Sequence, residues 1–401
     1  MTAIHVNTKL LDAPRWMGMA AIHSHPDLRR TTMKGLLIKM LITPVDFDCN
    51  MDCGYCYNGS ARTPCSSVSK RIIPMGIIYR IFDQVYPLLK GDQLIVIWHG
   101  GEPLLAGQNF YREVIEVQKS AVRGRYRVIN CMQTNGTLID EEWADLLLRL
   151  KIGPSVSADG PAYLHDSIRV FLDGRPTYLQ AMRGYRLLQK NDVNTGMLVV
   201  ISQNNVRHPE AIWQWVLEEK IPHFDFLPCI EPELWRKGEQ KYGLSPEEVA
   251  EFSIRLFDLW FNHGDPNIKI RTFRDAIKGQ LGGRVNICSW KAGCLQHISF
   301  DVAGNAFPCA RYHCYPETKM GNIMAQSFPE IMSSSKTRWV HDGIAAGQQK
   351  CKNCQWNPIC GSGCPFLKYA LHGSWDGPYV HCQSRQALFY HVHDRIFQKG
   401  N

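Results

Sequence analysis

Fifteen of the 401 residues are cysteine, and most of them stand in groups. Cys49, Cys53 and Cys56 fall in C-x3-C-x2-C spacing. Three thiolates on one tight loop can hold three corners of a 4Fe-4S cubane, which leaves the fourth iron without a protein ligand. An open metal position is what a substrate or cofactor needs. Closed zinc sites instead pair C-x2-C modules with a second pair downstream, and this stretch fits that poorly. A second set lies far along the chain: Cys288-x5-Cys294, Cys309, Cys351-x2-Cys354-x5-Cys360-x3-Cys364, and Cys382. For this set, spacing alone leaves two zinc sites as a fair competitor to clusters. Disulfides do not persist in a reduced cytosol, so grouped cysteines there point to metal or cluster ligation. Cys65, Cys131, Cys229 and Cys314 remain, and read as inert buried thiols. Cys314, five residues past Cys309, is the one nearest to possible chemistry.

Elements must bring such groups together. From about Gly35 short apolar runs alternate with amphipathic stretches, the mark of repeated β–α units. The pattern predicts strands over Leu36–Ile42, Leu94–Trp98, Arg127–Met132, Gly153–Ser157, Gly196–Ile201 and Phe224–Cys229. It predicts helices over Pro74–Leu89, Gln108–Ala121, Asp140–Leu150, Thr177–Lys190, Pro209–Glu219 and about Ser245–Phe261. Six strands with helical crossovers imply a parallel sheet curled into a partial (β/α)6 barrel of the TIM-like kind. Reactive residues then belong at the carboxyl ends of the strands, and Cys49 follows the first of them directly. From Cys288 onward the chain reads as loop-rich, holding nine of the cysteines, and bound clusters could staple it. The expected divisions are an arm over residues 1–34, the barrel over 35–270, the cysteine-rich domain over 280–385 and a helix or tail over 386–401.

Hydrophobic residues make up 45% and charged residues 20%, ordinary values for a globular protein. No run approaches the roughly 20 apolar residues of a membrane span, and no secretory signal stands at the start. A cytoplasmic protein without a membrane partner is the expectation. The net charge of +8 is spread along the chain without basic blocks, which argues against nucleic acid as a partner.

The Cys49–Cys56 stretch, with aromatic Tyr55 before the third cysteine, resembles the signature of the radical S-adenosylmethionine (SAM) superfamily. The resemblance continues at later strand ends. Gly100, Gly101, Glu102 and Pro103 match the GGEP motif, and Gln133–Ile139 follows the third strand. Ser157–Pro161 and His165–Arg169 follow the fourth, and Phe226–Pro232, containing Leu227, closes the sixth. The resemblance implies that SAM chelates the open iron, with bare backbone at Gly100 and Gly101 and the Glu102 carboxylate suited to its ammonium group. Tyr55 and Leu227 are further cofactor-contact candidates. Ser157 and Arg169 are candidates for the cofactor's carboxylate, Arg169 being equally readable as a surface ion pair. Asn135 is either a turn residue or a cofactor or substrate contact, and Asp159 with Gly160 could simply make a turn. One electron from the cluster would cleave SAM to methionine and a 5′-deoxyadenosyl radical, the cofactor supplying the hard chemistry. A flavodoxin- or ferredoxin-type protein is the implied electron donor.

The C-terminal cysteines resemble the SPASM domain, which holds two auxiliary 4Fe-4S clusters. That likeness assigns Cys288, Cys294, Cys309 and Cys364 to one and Cys351, Cys354, Cys360 and Cys382 to the other, making three clusters in all. The arrangement looks most like anaerobic sulfatase-maturating enzymes and peptide-modifying relatives. Sulfatase maturases usually carry Asp as a base after the third cysteine of the first auxiliary cluster, where this chain has Ala310. That departure, with the Cys309–Tyr312 and His99–Leu105 segments, leads to the expectation of a maturase that crosslinks side chains of a ribosomally made precursor peptide. His99 and Arg311 are then candidates to face the substrate, against plainer roles as a supporting hydrogen-bond group and a surface cation. The alternatives are a two-electron dehydrogenase of the sulfatase-maturase type or of a small metabolite, and a non-catalytic zinc-binding interaction protein.

Overall fold

A computed structural model describes residues 39–58, 72–88, 93–122, 127–232 and 237–397. The expected arm over 1–34, the start of the first predicted strand and Cys65 lie outside the described residues.

Six parallel strands form where the alternation predicted them: β1 (Lys39–Ile42), β2 (Gln93–Trp98), β3 (Arg127–Thr134), β4 (Ile152–Ser157), β5 (Gly196–Ile201) and β6 (His223–Pro228). Their burial alternates along β2 and β4, because successive side chains point to opposite faces. The crossovers are α1 (Met75–Val85), α2 (Gln108–Val122), α3 (Glu141–Leu150), α4 (Tyr178–Lys190) and α5 (Pro209–Glu218). Each presents an apolar stripe to the sheet; in α1 it is Ile77, Ile78, Ile81, Phe82 and Val85. Local chemistry sets the helix starts. Asp140 accepts from the Trp143 N–H ahead of α3, and Ser245 with Glu248 forms a capping box ahead of α6 (Pro246–His263).

The sheet does not stop at six strands. A short β7 (Lys269–Ile270) adds parallel to β6, and α7 (Arg271–Gln280) follows. At the other edge β8 (His297–Phe300) pairs parallel with β1, and β9 (Asn305–Phe307) and β10 (Gly321–Asn322) extend it antiparallel. The strand order is β10-β9-β8-β1-β2-β3-β4-β5-β6-β7.

The region after Cys288 is also less loop-rich than expected. It holds α8 (Ser335–Gln349), α9 (Pro365–His372) and α10 (Cys382–Phe397), beside shorter turns. The dense cysteines masked these helices, whose buried stripes are thin: Val340 and Ile344 are the large apolar residues buried in α8. Nor is α10 a tail. His391 Nε2 lies 2.8 Å from Asp258 on α6, and Gln280 of α7 donates to the Phe389 carbonyl at 2.8 Å. The C-terminal region thus grips both edges of the open sheet, through β8 on β1 and through α10 on α6 and α7.

Two glycines after β2 allow the strand-end loops to touch. Gly101 N–H donates to the Asp46 carbonyl and Glu102 N–H to the Asp48 carbonyl, both at 2.8 Å. A Cβ on Gly101 would sit 2.0 Å from the Asp48 oxygen, so no side chain fits. Gly101→Ala should lower stability by about 2–3 kcal/mol through forced separation of the two loops, measured by urea unfolding of the cluster-free protein. An unchanged midpoint would contradict this packing.

Candidate active site

The loop bearing Cys49, Cys53 and Cys56 is pinned on two sides. Against β2 it is held by the contacts of Gly101 and Glu102; against the segment after β4, Asp52 N–H donates to the Val170 carbonyl and Gly54 N–H to the Ile168 carbonyl. Gly54 has no room for a side chain, since a Cβ would lie 2.8 Å from the Tyr242 hydroxyl and 2.9 Å from Ile168. The three thiols lie close enough for each one's charge to disfavour its neighbours' ionisation. Burial pushes the Cys53 thiol up to about 12 and Cys49 higher still. Such thiols stay protonated unless a metal supplies positive charge, and metal ligation deprotonates them outright. Donors already face the sulfurs: Asn135 Nδ2 is 3.8 Å from Cys49 Sγ, and Arg169 Nη1 is 3.9 Å from Cys53 Sγ.

A cavity of about 740 Å³ opens over this loop at the carboxyl ends of the strands. Tyr55, Gly100, Gly101, Glu102, Asn135, Ser157, Arg169 and Leu227 all line it, as do His99 and Arg311. Glu102 is fully enclosed, yet three donors meet its carboxyl: the Leu104 N–H at 3.0 Å, the Thr134 hydroxyl at 2.8 Å and the Asn135 N–H at 2.7 Å. Burial nevertheless outweighs those bonds and pushes Glu102 up to about 7. Arg169 is no surface cation. Its Nε donates to Asp159 Oδ2 at 2.8 Å, and both side chains are buried. Tyr55 donates to the same oxygen at 2.5 Å, and the Val200 N–H meets the other at 2.9 Å. Asp159 is therefore the anchor of the cavity's Arg169 wall, a role hidden by its turn-like neighbour Gly160. Ser157 accepts from Gln133 Nε2 at 2.8 Å.

The C-terminal thiols fall into two groups in space. Cys294 feels the charges of Cys309, Cys364 and Cys288, and Cys351 those of Cys360, Cys382 and Cys354. The second group surrounds its own cavity of about 380 Å³. Arg385, unremarkable in the sequence, stands between the groups. Its Nη1 lies 3.2 Å from Cys360 Sγ and 3.1 Å from the carbonyl of Ser289, next to Cys288. Cys314 and the buried Cys229, just past β6, both line the large cavity, whereas Cys131 lies on β3.

A model of the radical SAM superfamily matches residues 46–216, and one of the SPASM iron–sulfur cluster-binding domain matches residues 288–355. This chain carries a radical SAM domain and a SPASM domain. Its α/β fold is that of the solved native anSMEcpe with bound AdoMet and Kp18Cys peptide, at a TM-score of 0.79 and 27% identity, covering 90% of this chain and 98% of that one. The cysteine-type anaerobic sulfatase-maturating enzyme of Clostridium perfringens (strain 13) is 27% identical over 366 residues, covering 91% of this chain and 98% of that enzyme. The serine-type enzyme of Bacteroides thetaiotaomicron is also 27% identical, covering 88% of this chain and 89% of that enzyme. Streptococcus suis SuiB, solved with its precursor peptide, shares only the fold, at a TM-score of 0.61 and 15% identity. SAM and iron–sulfur clusters are thus the cofactors of this domain pair, which sets aside a zinc-binding interaction protein, and the buried thiols with donors facing them fit cluster ligation.

These likenesses overturn the expectation of a peptide-crosslinking maturase, since sulfatase maturases match along nearly the whole chain. The motifs behind that expectation place His99 and Arg311 on the cavity wall, but wall position does not fix the fate of a substrate radical. Among the described residues, no helix is long and apolar enough to cross a membrane.

The Glu102 environment gives a pH test. Its folded pKa lies above the ordinary carboxyl value, so the protonated form is favoured natively, and stability is lost as pH rises toward and through about 7. Glu102→Gln is neutral at every pH, although its amide NH2 meets a donor where a carboxyl oxygen accepted. In cofactor-free protein its stability relative to wild type should rise by up to about 3 kcal/mol between pH 5 and pH 8, read by urea unfolding. Identical pH profiles for the two proteins would contradict the burial argument.

Proposed function

We propose that this enzyme is a dehydrogenase of the sulfatase-maturase type, oxidising a cysteine or serine side chain of a peptide or protein to the aldehyde of formylglycine. The observation carrying this reading is the near-complete coverage of both cysteine-type and serine-type maturases. Support also comes from one cavity into which the Cys49 loop, the Gly100–Glu102 turn, Arg169 and the Arg311 segment all project, with room for a peptide side chain beside the cofactor.

In this reading Cys49, Cys53 and Cys56 hold a 4Fe-4S cluster with one open iron for SAM. The Gly100 and Gly101 backbone and the Glu102 carboxylate receive the cofactor's ammonium group, and a cation there would draw Glu102 into its ionised form. Ser157 and the Arg169–Asp159 pair face its carboxylate end, with Tyr55, Asn135 and Leu227 completing the enclosure. SAM, when bound to the reduced cluster, supplies the radical that takes a hydrogen atom from the substrate. The apolar part of the wall, with Leu198, Val200, Phe366 and Leu367, keeps water from that radical. The Cys288/Cys294/Cys309/Cys364 and Cys351/Cys354/Cys360/Cys382 groups would hold two further 4Fe-4S clusters, which would supply one-electron redox chemistry beside the cavity, and a flavodoxin- or ferredoxin-type protein would be the donor to the first cluster. Arg385 between the two groups offsets their negative charge. Ala310 provides no base, so proton removal must be handled otherwise than by a carboxylate at that position.

The test is anaerobic incubation of reconstituted, reduced enzyme and SAM with the Kp18Cys peptide. An aldehyde captured by a hydrazide reagent is expected. Replacing Cys351 and Cys354 together by Ala should lower aldehyde yield at least about tenfold while 5′-deoxyadenosine is still released. Crosslinked peptide without aldehyde, or full yield from the double variant, would contradict the reading.

A further inference from the structure

Four thiols converge on the second C-terminal cavity, and one side chain ties them to the first group. Cys382 opens α10, and Arg385, three residues on, lies on the same face of that helix. Its guanidinium is buried and makes three contacts at once. Nη1 donates to Cys360 Sγ at 3.2 Å and to the Ser289 carbonyl at 3.1 Å, and Nη2 donates to the Tyr379 hydroxyl at 2.9 Å. Tyr379 in turn packs on Gly363, which lies between Cys360 and Cys364 in the chain. Gly363 has a φ of +90°, and a Cβ there would sit 2.3 Å from the Tyr379 ring, so only glycine fits. The guanidinium carbon is 4.4 Å from the Tyr379 ring centroid and 5.4 Å from that of Trp290. A planar fork satisfies all of these contacts together, which an ammonium group does not.

The two thiol groups do not share this guanidinium equally. Arg385 bonds directly to a sulfur of the second group, whereas toward the first it reaches a backbone carbonyl and acts on Cys364 through space. Gln386 adds a second donor, its Nε2 lying 3.2 Å from Cys382 Sγ. Lys368 is buried beside the second group too, near enough to Cys351, Cys360 and Cys382 for their charges to act on it. The first group has cations of its own: Arg311 acts on Cys288, Cys309 and Cys364, and Arg271 and Lys39 act on Cys288. Counting cations therefore does not rank the two sites, but removing Arg385 acts on them unequally. Reduction adds negative charge to an iron–sulfur cluster, so a fixed cation and an N–H···S bond both make it easier.

Resting on the cluster assignment made within the dehydrogenase reading, we propose that Arg385 is a positioning residue for electrons. By holding a positive charge and a donor on Cys360, it raises the reduction potential of the cluster on the second group more than that of the first. An electron shared between the two sites is thereby drawn toward the second, away from the Arg311 wall of the large cavity. One site is oxidised by one electron as the other is reduced, and no bond or proton changes.

The test is a redox titration of the reconstituted full chain, followed by low-temperature electron paramagnetic resonance. The signal missing from the Cys351→Ala, Cys354→Ala double variant marks the second group; the signal that responds to SAM marks the Cys49 loop. Arg385→Met should lower the second group's potential by at least about 59 mV, a tenfold shift in a one-electron equilibrium, and the Cys288 group's by less. Arg385→Lys should recover part of the shift, since it keeps the charge without the fork. If Arg385→Met cannot hold the second cluster, Arg385→Gln, a neutral side chain with an N–H donor, must show the same fall. An unmoved potential in the neutral variant, equal shifts at both groups, or no recovery in Arg385→Lys would overturn the proposal. Those results would spare the dehydrogenase reading, whose aldehyde assay is independent of them. A wild-type enzyme without any signal that depends on Cys351 and Cys354 would overturn the proposal and the cluster assignment together.

Discussion

Two backbone hydrogen bonds between neighbouring strand ends position everything else in this enzyme. The Gly101 and Glu102 N–H groups reach the Asp46 and Asp48 carbonyls, and only a residue without a Cβ permits the approach at Gly101. Because both loops leave adjacent parallel strands, the contact sets Cys49 near enough to the Glu102 carboxyl for the two charges to act on each other. The far side of the same loop is pinned to residues 168–170, which brings Arg169 over Cys53. A cluster loop held only by its own cysteines would have no such register with the cavity.

Charge explains the second layer of the design. Buried thiols, a buried carboxyl and buried guanidinium groups would each be costly alone, and they are set where their charges can offset one another. Arg169 is paired with Asp159, Arg385 lies between the two C-terminal thiol groups, and Arg311 faces the cavity with thiols behind it. The C-terminal region can bring Arg311 there because it is anchored at both edges of the sheet. Its β8 strand continues the barrel past β1, and its last helix packs on α6 and α7.

Much of this was legible in the residues. Short apolar runs alternating with amphipathic stretches gave the six parallel strands, and likeness to known domains suggested how the cysteines are grouped. What stayed hidden has physical causes. The β7 strand has two residues and β8 four, with a polar Ser299 buried against His313, so neither carries a readable alternation. The buried Arg169–Asp159 pair joins residues whose types are as common on surfaces, and only tertiary packing shows they are enclosed. Arg385 sits in an ordinary amphipathic helix, and its meaning comes from Cys360 and Ser289, which are distant in sequence. The chemical outcome was misread for the same reason: residues flanking a ligand report where they stand, whereas the fate of a substrate radical depends on the whole cavity.

The proposed radical chemistry depends on Cys49, Cys53 and Cys56 presenting one open iron to the sulfonium cofactor. Low-temperature electron paramagnetic resonance of the reconstituted, reduced enzyme tests this most directly. Adding SAM should change the signal of one cluster and leave the others as they were, and the joint replacement Cys49→Ala, Cys53→Ala, Cys56→Ala should remove the responsive signal alone. Spectra indifferent to SAM, or a response that persists without those thiols, would contradict it.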